Sequence, residues 1–259
     1  MKAERRRKIL ELIAGNNQVT VADIVGPFKV SEMTARRDLA ELAREGLLRR
    51  GHGGATSSLG RSYEPPYLLR AADHRTPKQA VGKAAARMIS DGDSVAFDVG
   101  TTTLEVARAL EGRRNLTIVT ASLPIANEIV TRFSLDSDIR LILTGGIVRA
   151  DELSMVGEFA ARLYGELRVD KAFIGVGGIS LKDGLTEYNL DDALVKRALI
   201  ASAERVIVVA DGSKFGRTTF AQIVPLSEID TVVTDRSADQ RTVAGLEAMG
   251  IHVVIAEDE

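Results

Sequence analysis

Residues 97–110 read "FDVGTTTLEVARAL", and the architecture of most of the chain follows from how these fourteen residues are parsed. The run "SVAFDVG" ends a buried strand, Gly-Thr-Thr-Thr makes a tight hydroxyl-rich loop, and "LEVARAL" opens an amphipathic helix. Further along, the same alternation repeats: "LTIVTA", "LPIANEIVTRF", "IRLILTGG", "KAFIGVGG", "DDALVKRALIASA", "RVIVVAD", "IDTVVTD", "ADQRTVAGLEAMG" and "IHVVIA". Continuous Val/Ile/Leu runs without strict alternation, separated by helices, belong to a parallel sheet covered on both faces. Residues 76–259 are therefore expected to form a Rossmann-like parallel α/β domain. Its entry is "TPKQ", where Thr76 as N-cap, Pro77 at the first helical position and Gln79 make a capping-box start to a helix over Lys78–Ile89.

Upstream, residues 58–75 carry Ser, Gly and paired prolines without periodicity and read as a linker. Residues 1–57 have another character. Apolar residues at Ile9, Leu10, Leu12 and Ile13 form one helical stripe, with Gly15 placed to end it. Thr20 caps a short second helix, which Gly26-Pro27 should stop before the proline. Ser31 caps a third, with Leu39 and Leu42 on one face and Gly46 at its end. The glycine-rich, basic "LLRRGHGGA" reads as a hairpin wing. Three helices and a wing are the plan of a winged helix-turn-helix, whose later helix enters the DNA major groove.

Composition narrows the functions available. The 259 residues suffice for one large or two modest domains. Without cysteine there is no disulfide, thiolate zinc site or Cys nucleophile. Three scattered histidines, His52, His74 and His252, make no metal site, so neither metal nor cofactor is expected. The charged N-terminus is unlike a signal peptide, and no apolar run approaches the ~20 residues of a spanning helix. A cytoplasmic protein with no membrane partner is expected. Residues 1–50 hold eleven Lys/Arg against seven Asp/Glu, and the remainder 23 against 29. A basic head on an acidic body suggests that the head meets a polyanion.

In "SEMTARRDL", Ser31, Thr34, Arg36 and Arg37 occupy the start of the third helix, the end that enters the groove. Guanidinium forks bind phosphate or pair with guanine O6 and N7, and Asp38 beside them is placed to orient one fork. The bland alternative is a solvated face with an Arg-Asp pair. Arg49, Arg50 and His52 fall on the wing, where Gly51, Gly53 and Gly54 let the main chain approach phosphates.

In the body, the hydroxyls of Thr101, Thr102 and Thr103 and the N–H groups after Gly100 converge at a helix N-terminus, which favours an anion. A lone threonine capping its own helix would look the same. No P-loop lysine follows, so nucleotide hydrolysis is not expected. Thr120 to Ser122, Thr144-Gly145-Gly146 and Gly175 to Gly178 lie at the C-terminal ends of other strands, where open α/β sheets bind ligands. Jointly they favour a polyhydroxylated, phosphorylated small molecule. Glu187 is a candidate acceptor for sugar hydroxyls, Lys196 and Lys214 are candidate phosphate partners, and Asp211 is either a turn residue or a ligand acceptor.

The head, with its Val-Ser-x-x-Thr-x-Arg-Arg-Asp-Leu helix and its Arg-x-His-Gly-Gly-Ala wing, resembles the DNA-binding domain of the DeoR family of bacterial transcriptional regulators. Ala35 stands where that family usually has isoleucine. From about Lys78 onward the chain resembles the family's effector domain, similar in fold to ribose-5-phosphate isomerase and glucosamine-6-phosphate deaminase. The landmarks are Asp98-x-Gly100-Thr101-Thr102, Gly145-Gly146, Gly177-Gly178, Gly184-Leu185-Thr186 and Asp211-x-Ser213-Lys214-Phe215-Gly216. The resemblance implies a double-stranded DNA operator, a phosphorylated sugar as effector, and repression of sugar or carbon metabolism genes relieved by that metabolite. Paired heads on paired half-sites imply a homo-oligomer, a dimer or tetramer.

Asp98, Glu187, Asp211, Lys196 and Lys214 are also the residue types an isomerase needs. Turnover would destroy the signal a regulator reads, so no enzymatic activity is expected. An isomerase-like enzyme carrying a DNA-binding head is the alternative.

Overall fold

The computed structural model describes residues 5–257 apart from 7, 11, 14–17, 45–46, 52, 58–59 and 133–137. Gly15, Gly46 and His52 lie outside the described residues. The chain divides into two compact units, Met1–Tyr63 and Glu64–Glu259.

In the first unit, the described residues among 5–13 are helical (α1), followed by β1 (Gln18–Thr20), α2 (Ala22–Phe28), α3 (Glu32–Arg44), β2 (Leu48–Gly51) and β3 (Gly54–Ser57). Ile9, Ile13, Ile24, Ala35, Leu39 and Leu42 pack with Leu48 and Ala55 into one small core. The wing has a third strand: β1 pairs antiparallel with β3, so the sheet runs β1-β3-β2. A Cβ at Gly54 would stand 2.1 Å from the Val19 carbonyl oxygen, so glycine is what lets these two strands approach.

Thr20 caps α2 reciprocally. Its Oγ1 accepts from the Asp23 N–H at 3.2 Å, and the Asp23 carboxylate accepts from the Thr20 N–H at 2.8 Å. The Thr20 backbone and side-chain donors hold the Asp23 carboxyl below its usual range. Pro27 does not cut the helix short. It sits inside α2, one residue from the end, and the chain leaves through Lys29 at φ 49°. In a last turn the missing N–H deprives only Asp23 of a partner, and Asp23 is exposed.

The second unit contains α4 (Tyr67–Ala72), α5 (Arg75–Ala86), β4 (Ser94–Phe97), α6 (Thr101–Arg108), β5 (Thr117–Thr120), α7 (Leu123–Arg132), β6 (Arg140–Leu143), β7 (Ile147–Arg149), β8 (Ser154–Val156), α8 (Glu158–Gly165) and β9 (Val169–Ile174). It continues with β10 (Gly178–Ser180), β11 (Gly184–Glu187), α9 (Leu190–Ala201), β12 (Ala203–Val209), β13 (Ala221–Gln222), β14 (Thr231–Thr234), α10 (Gln240–Ala248) and β15 (His252–Ile255).

Seven strands form the parallel sheet, in the order β15-β14-β12-β9-β4-β5-β6. Alternate residues of each central strand enter opposite layers. Val95, Phe97 and Phe173 face α5, α6 and α7, while Ala96, Ala172 and Ile174 face α8, α9 and α10. The Phe97 and Phe173 rings stack at 5.4 Å between β4 and β9. Two antiparallel additions were not read from the sequence, the hairpin β7–β8 and the small sheet β10-β11-β13. Their strands are two to four residues long, too short to show a period.

Two expectations about the entry to this unit need correction. The stretch read as a linker contains α4, with Tyr67 buried in the core. Its anchors are one ring and a set of ion pairs, which leave no periodic trace. Helix α5 begins at Arg75 after His74 at φ 49°, without a side-chain cap, so Thr76 lies in its first turn; it ends at Ala86.

Candidate functional site

At the start of α3, Ser31 accepts the Thr34 N–H at 3.2 Å, as a cap should. Arg36 and Arg37 are exposed and, among the described residues, held by (i, i+4) pairs, to Glu32 at 3.3 Å and to Glu41 at 3.6 Å. Such surface pairs are worth ~0.3–0.5 kcal/mol, so both forks exchange them readily for a phosphate or a base. Asp38 does not orient a neighbouring fork. It turns inward, 2% exposed, and accepts from Arg5 of α1 at 2.6 Å. The helical period places it with Ala35, Leu39 and Leu42 on the core face.

On the wing, Arg49 and Arg50 are exposed and Gly53 turns at φ 79°. Nothing lies within 4 Å of a Cβ at Gly51 or Gly53. Gly54 serves the strand pairing instead. Exposed Met33, between the cap and the arginines, was not singled out from the sequence.

In the second unit the strand order reverses at β4 and β9, whose carboxyl ends therefore open the crevice where sheets of this kind bind ligands. Asp98 follows β4 and Gly175 follows β9. Asp98 is fully buried, accepts the Gly175 N–H at 2.9 Å and pairs with Lys196. The Lys196 ammonium also donates to the Gly175 carbonyl at 2.8 Å and lies 3.2 Å from Glu187. Burial disfavours its charge, but Asp98 and Glu187 outweigh that and hold it above an ordinary lysine. Glu187 also accepts the Tyr188 N–H at 2.9 Å.

Beside this group begins α6. Its N-cap is Gly100, at φ 148°, with no side chain capping the first turn. Thr103 is not a cap, because its hydroxyl donates back to the Gly100 carbonyl at 3.0 Å. The buried Thr101–Thr103 turn thus presents main-chain donors with no side-chain cap among the described residues.

The other loops serve largely structural ends. Thr120 accepts the Ser122 N–H at 3.1 Å, and Ser122 accepts the Ile125 N–H at 3.3 Å, capping α7. Gly145 and Gly146 follow β6, two strands from β4, and a Cβ at Gly146 would stand 2.6 Å from the Val156 carbonyl. Gly178 lies as close to the Arg217 carbonyl, at 2.4 Å from a Cβ. A Cβ on Gly177 would stand 2.9 Å from Glu187 Oε1 and 3.0 Å from Thr219 Oγ1. Thr219 is buried, and its hydroxyl has no partner among the described residues. Nothing in "GRTTF" distinguished it, and only the fold brings it beside Glu187.

Asp211 caps a 3₁₀ turn, Gly212–Lys214, accepting the Ser213 N–H at 3.1 Å and its hydroxyl. The turn reading accounts for it. Burial opposes its charge, yet Lys214, the Ser213 hydroxyl and Lys78 keep its carboxyl below the usual range. Lys78, not anticipated, is buried and donates to the Arg70 and Asp73 carbonyls at 2.5 and 2.7 Å.

Burial lowers the Lys78 pKa to about 8, with Asp211 opposing the fall. A folded value below the unfolded one means that the unfolded chain binds more protons between about pH 8 and 10.4. The wild type should therefore gain stability over Lys78→Met as pH rises through that window, by up to about 1.4 kcal/mol per unit. Urea unfolding of both proteins at pH 7, 8, 9 and 10 measures it; a flat difference would place the amine in water.

A winged helix-turn-helix unit joined to a doubly covered parallel sheet defines a DNA-binding transcriptional regulator. The pattern described as DeoR-like helix-turn-helix domain matches residues 5–59, that described as DeoR C terminal sensor domain matches residues 73–236, and the chain belongs to the DeoR family. It is 35% identical over 256 residues to the HTH-type transcriptional regulator GlpR of Haloferax volcanii, covering 98% of each chain. It is 34% identical to the glycerol-3-phosphate regulon repressor of Escherichia coli (strain K12), covering 90% of this chain and 91% of that one. Among solved structures, ribose 5-phosphate isomerase A of Methanocaldococcus jannaschii covers 53% of each chain at 18% identity, with a TM-score of 0.38.

Proposed function

We propose that the chain represses transcription by holding an operator through Ser31, Thr34, Arg36, Arg37, Arg49, Arg50 and Gly53, and that a phosphorylated sugar in the crevice controls this grip. The carrying observation is the uncapped first turn of α6 set beside Asp98, Lys196 and Glu187 at the switch point. The phosphate takes the N–H groups of Thr101–Thr103, and the sugar hydroxyls take Glu187 and the unpartnered Thr219 hydroxyl. A regulon named for a phosphate ester in one relative agrees with this chemistry.

No turnover is part of this reading. A general base needs a free carboxylate near the reacting carbon, whereas Asp98 Oδ2 is already engaged by an ammonium and an amide. A homo-oligomer in the cytoplasm, with paired heads on paired half-sites, completes the picture.

A thermal-shift screen of glycerol 3-phosphate, ribose 5-phosphate and glucosamine 6-phosphate, each against its unphosphorylated parent, tests the crevice. An ester at 100 times its Kd should stabilise the protein by about 2.7 kcal/mol, and its parent should do far less. Equal shifts from ester and parent would refute the phosphate site. Steady conversion of an ester would replace the sensor with an enzyme.

A further inference from the structure

Helix α9 is charged on two successive turns of one buried face. Lys196 reaches into the crevice, and Asp192, one turn earlier, pairs with Arg149 at the end of β7. The second arm of the Arg149 fork lies 3.3 Å from Glu64 Oε2. Glu64 Oε1 lies 3.1 Å from Arg70, which also pairs with Glu152. A run of charged contacts thus leads from Asp192, one turn before Lys196 on α9, through Arg149 to Glu64, the first residue of this unit.

Polar contacts, more than apolar packing, secure this entry segment. The Tyr67 N–H donates to the Asp151 carbonyl at 3.1 Å, Arg70 Nε to the Pro65 carbonyl at 2.9 Å, and Lys78 to the Arg70 carbonyl. Leu68 is 75% exposed. Two buried carboxyl groups, Glu152 and Asp192, and the half-buried Glu64 share two guanidinium forks. Glu152 Oε1 has no partner among the described residues, and burial pushes that carboxyl up to about 8 against the pull of Arg70. Three carboxyl groups on two forks leave more than one pairing open, which is the requirement for a two-state element.

We propose that Asp192, Arg149, Glu64 and Arg70 form a relay that carries effector binding from α9 to the root of the segment joining the two units. A ligand that draws on Lys196 moves the Asp192 turn of the same helix, and Arg149 then redistributes between Asp192 and Glu64. The grip on residues 64–72 changes with it. This rests on the crevice being the effector site.

Hydrogen exchange of the full chain, read by mass spectrometry, tests both steps. Without ligand, Asp192→Asn and Arg149→Lys should raise amide exchange over residues 64–72 roughly tenfold while β4 and β9 stay protected. With glycerol 3-phosphate, ribose 5-phosphate or glucosamine 6-phosphate, an ester that protects residues 101–103 should also change exchange over 64–72 in the wild type. In the two variants it should protect 101–103 and leave 64–72 unmoved. An ester that protects 101–103 in the wild type without altering 64–72 overturns the relay, as do variants that exchange like wild type. If none of the esters protects 101–103, the effector reading itself fails and the relay with it. The wild-type comparison needs no variant, so a substitution that unfolds the chain leaves the test intact.

Discussion

Lys196→Met is expected to cost the second unit about 3–5 kcal/mol and to abolish effector binding. The ammonium is 2% exposed and is the cation that both Asp98 and Glu187 contact directly. Removing it leaves two carboxylates in a site where burial already raises the Asp98 pKa and Lys196 opposes the rise. Losing one partner of a buried pair is far more costly than losing the pair, so Asp98→Asn in the Lys196→Met background should restore part of the loss. The signature in pH is also distinct. A carboxyl whose folded pKa exceeds its unfolded one stabilises below the unfolded value, and that contribution is lost as pH rises through the folded one. The Lys196→Met protein should therefore recover stability on acidification from neutrality toward pH 5, relative to wild type. Urea titrations of the wild type, the single and the double variant measure all three effects. A single-variant loss below about 1 kcal/mol, typical of surface pairs, would mean that water already reaches the group.

Arg37→Ala should weaken operator binding by about 1–3 kcal/mol if its fork reads a base, and Arg36→Ala likewise. Neither should move the melting temperature measurably, because each side chain is largely exposed and gives up only an (i, i+4) pair. The two kinds of contact separate by their salt dependence. A lost phosphate contact weakens every DNA about equally and lowers the slope of log K against log salt by about 1, whereas a lost base contact relaxes preference at one position. Fluorescence anisotropy on upstream DNA and on random DNA, at several salt concentrations, distinguishes them. If both arginines prove dispensable on both DNAs, α3 is not the helix that enters the groove.

Much of this was legible in the linear chain because it is written locally. The strand-loop-helix alternation after residue 75 reports a doubly covered sheet, since residues buried on both faces must be apolar throughout. The start of α3 was readable for the same reason: a capping serine and two arginines off the apolar stripe announce an exposed helical end. Asp38 shows where such reading stops, because its charge suggested the DNA face while its phase on the helix placed it in the core against Arg5.

The sequence by itself thus determined the two kinds of unit and the exposed basic end of α3, because propensity, period and capping act within a few residues. Tertiary structure decided which loops lie together. Setting β4 beside β9 unites Asp98 with Gly175, and α9 and β11 then deliver Lys196 and Glu187, while Gly145 stays two strands away. It also made an anchored segment of a stretch that read as linker, through Arg149 and Glu152, which lie about eighty residues downstream of Glu64 and Arg70. Charges that neutralise one another across such separations obey Coulomb's law in space, and no periodicity along the chain records it.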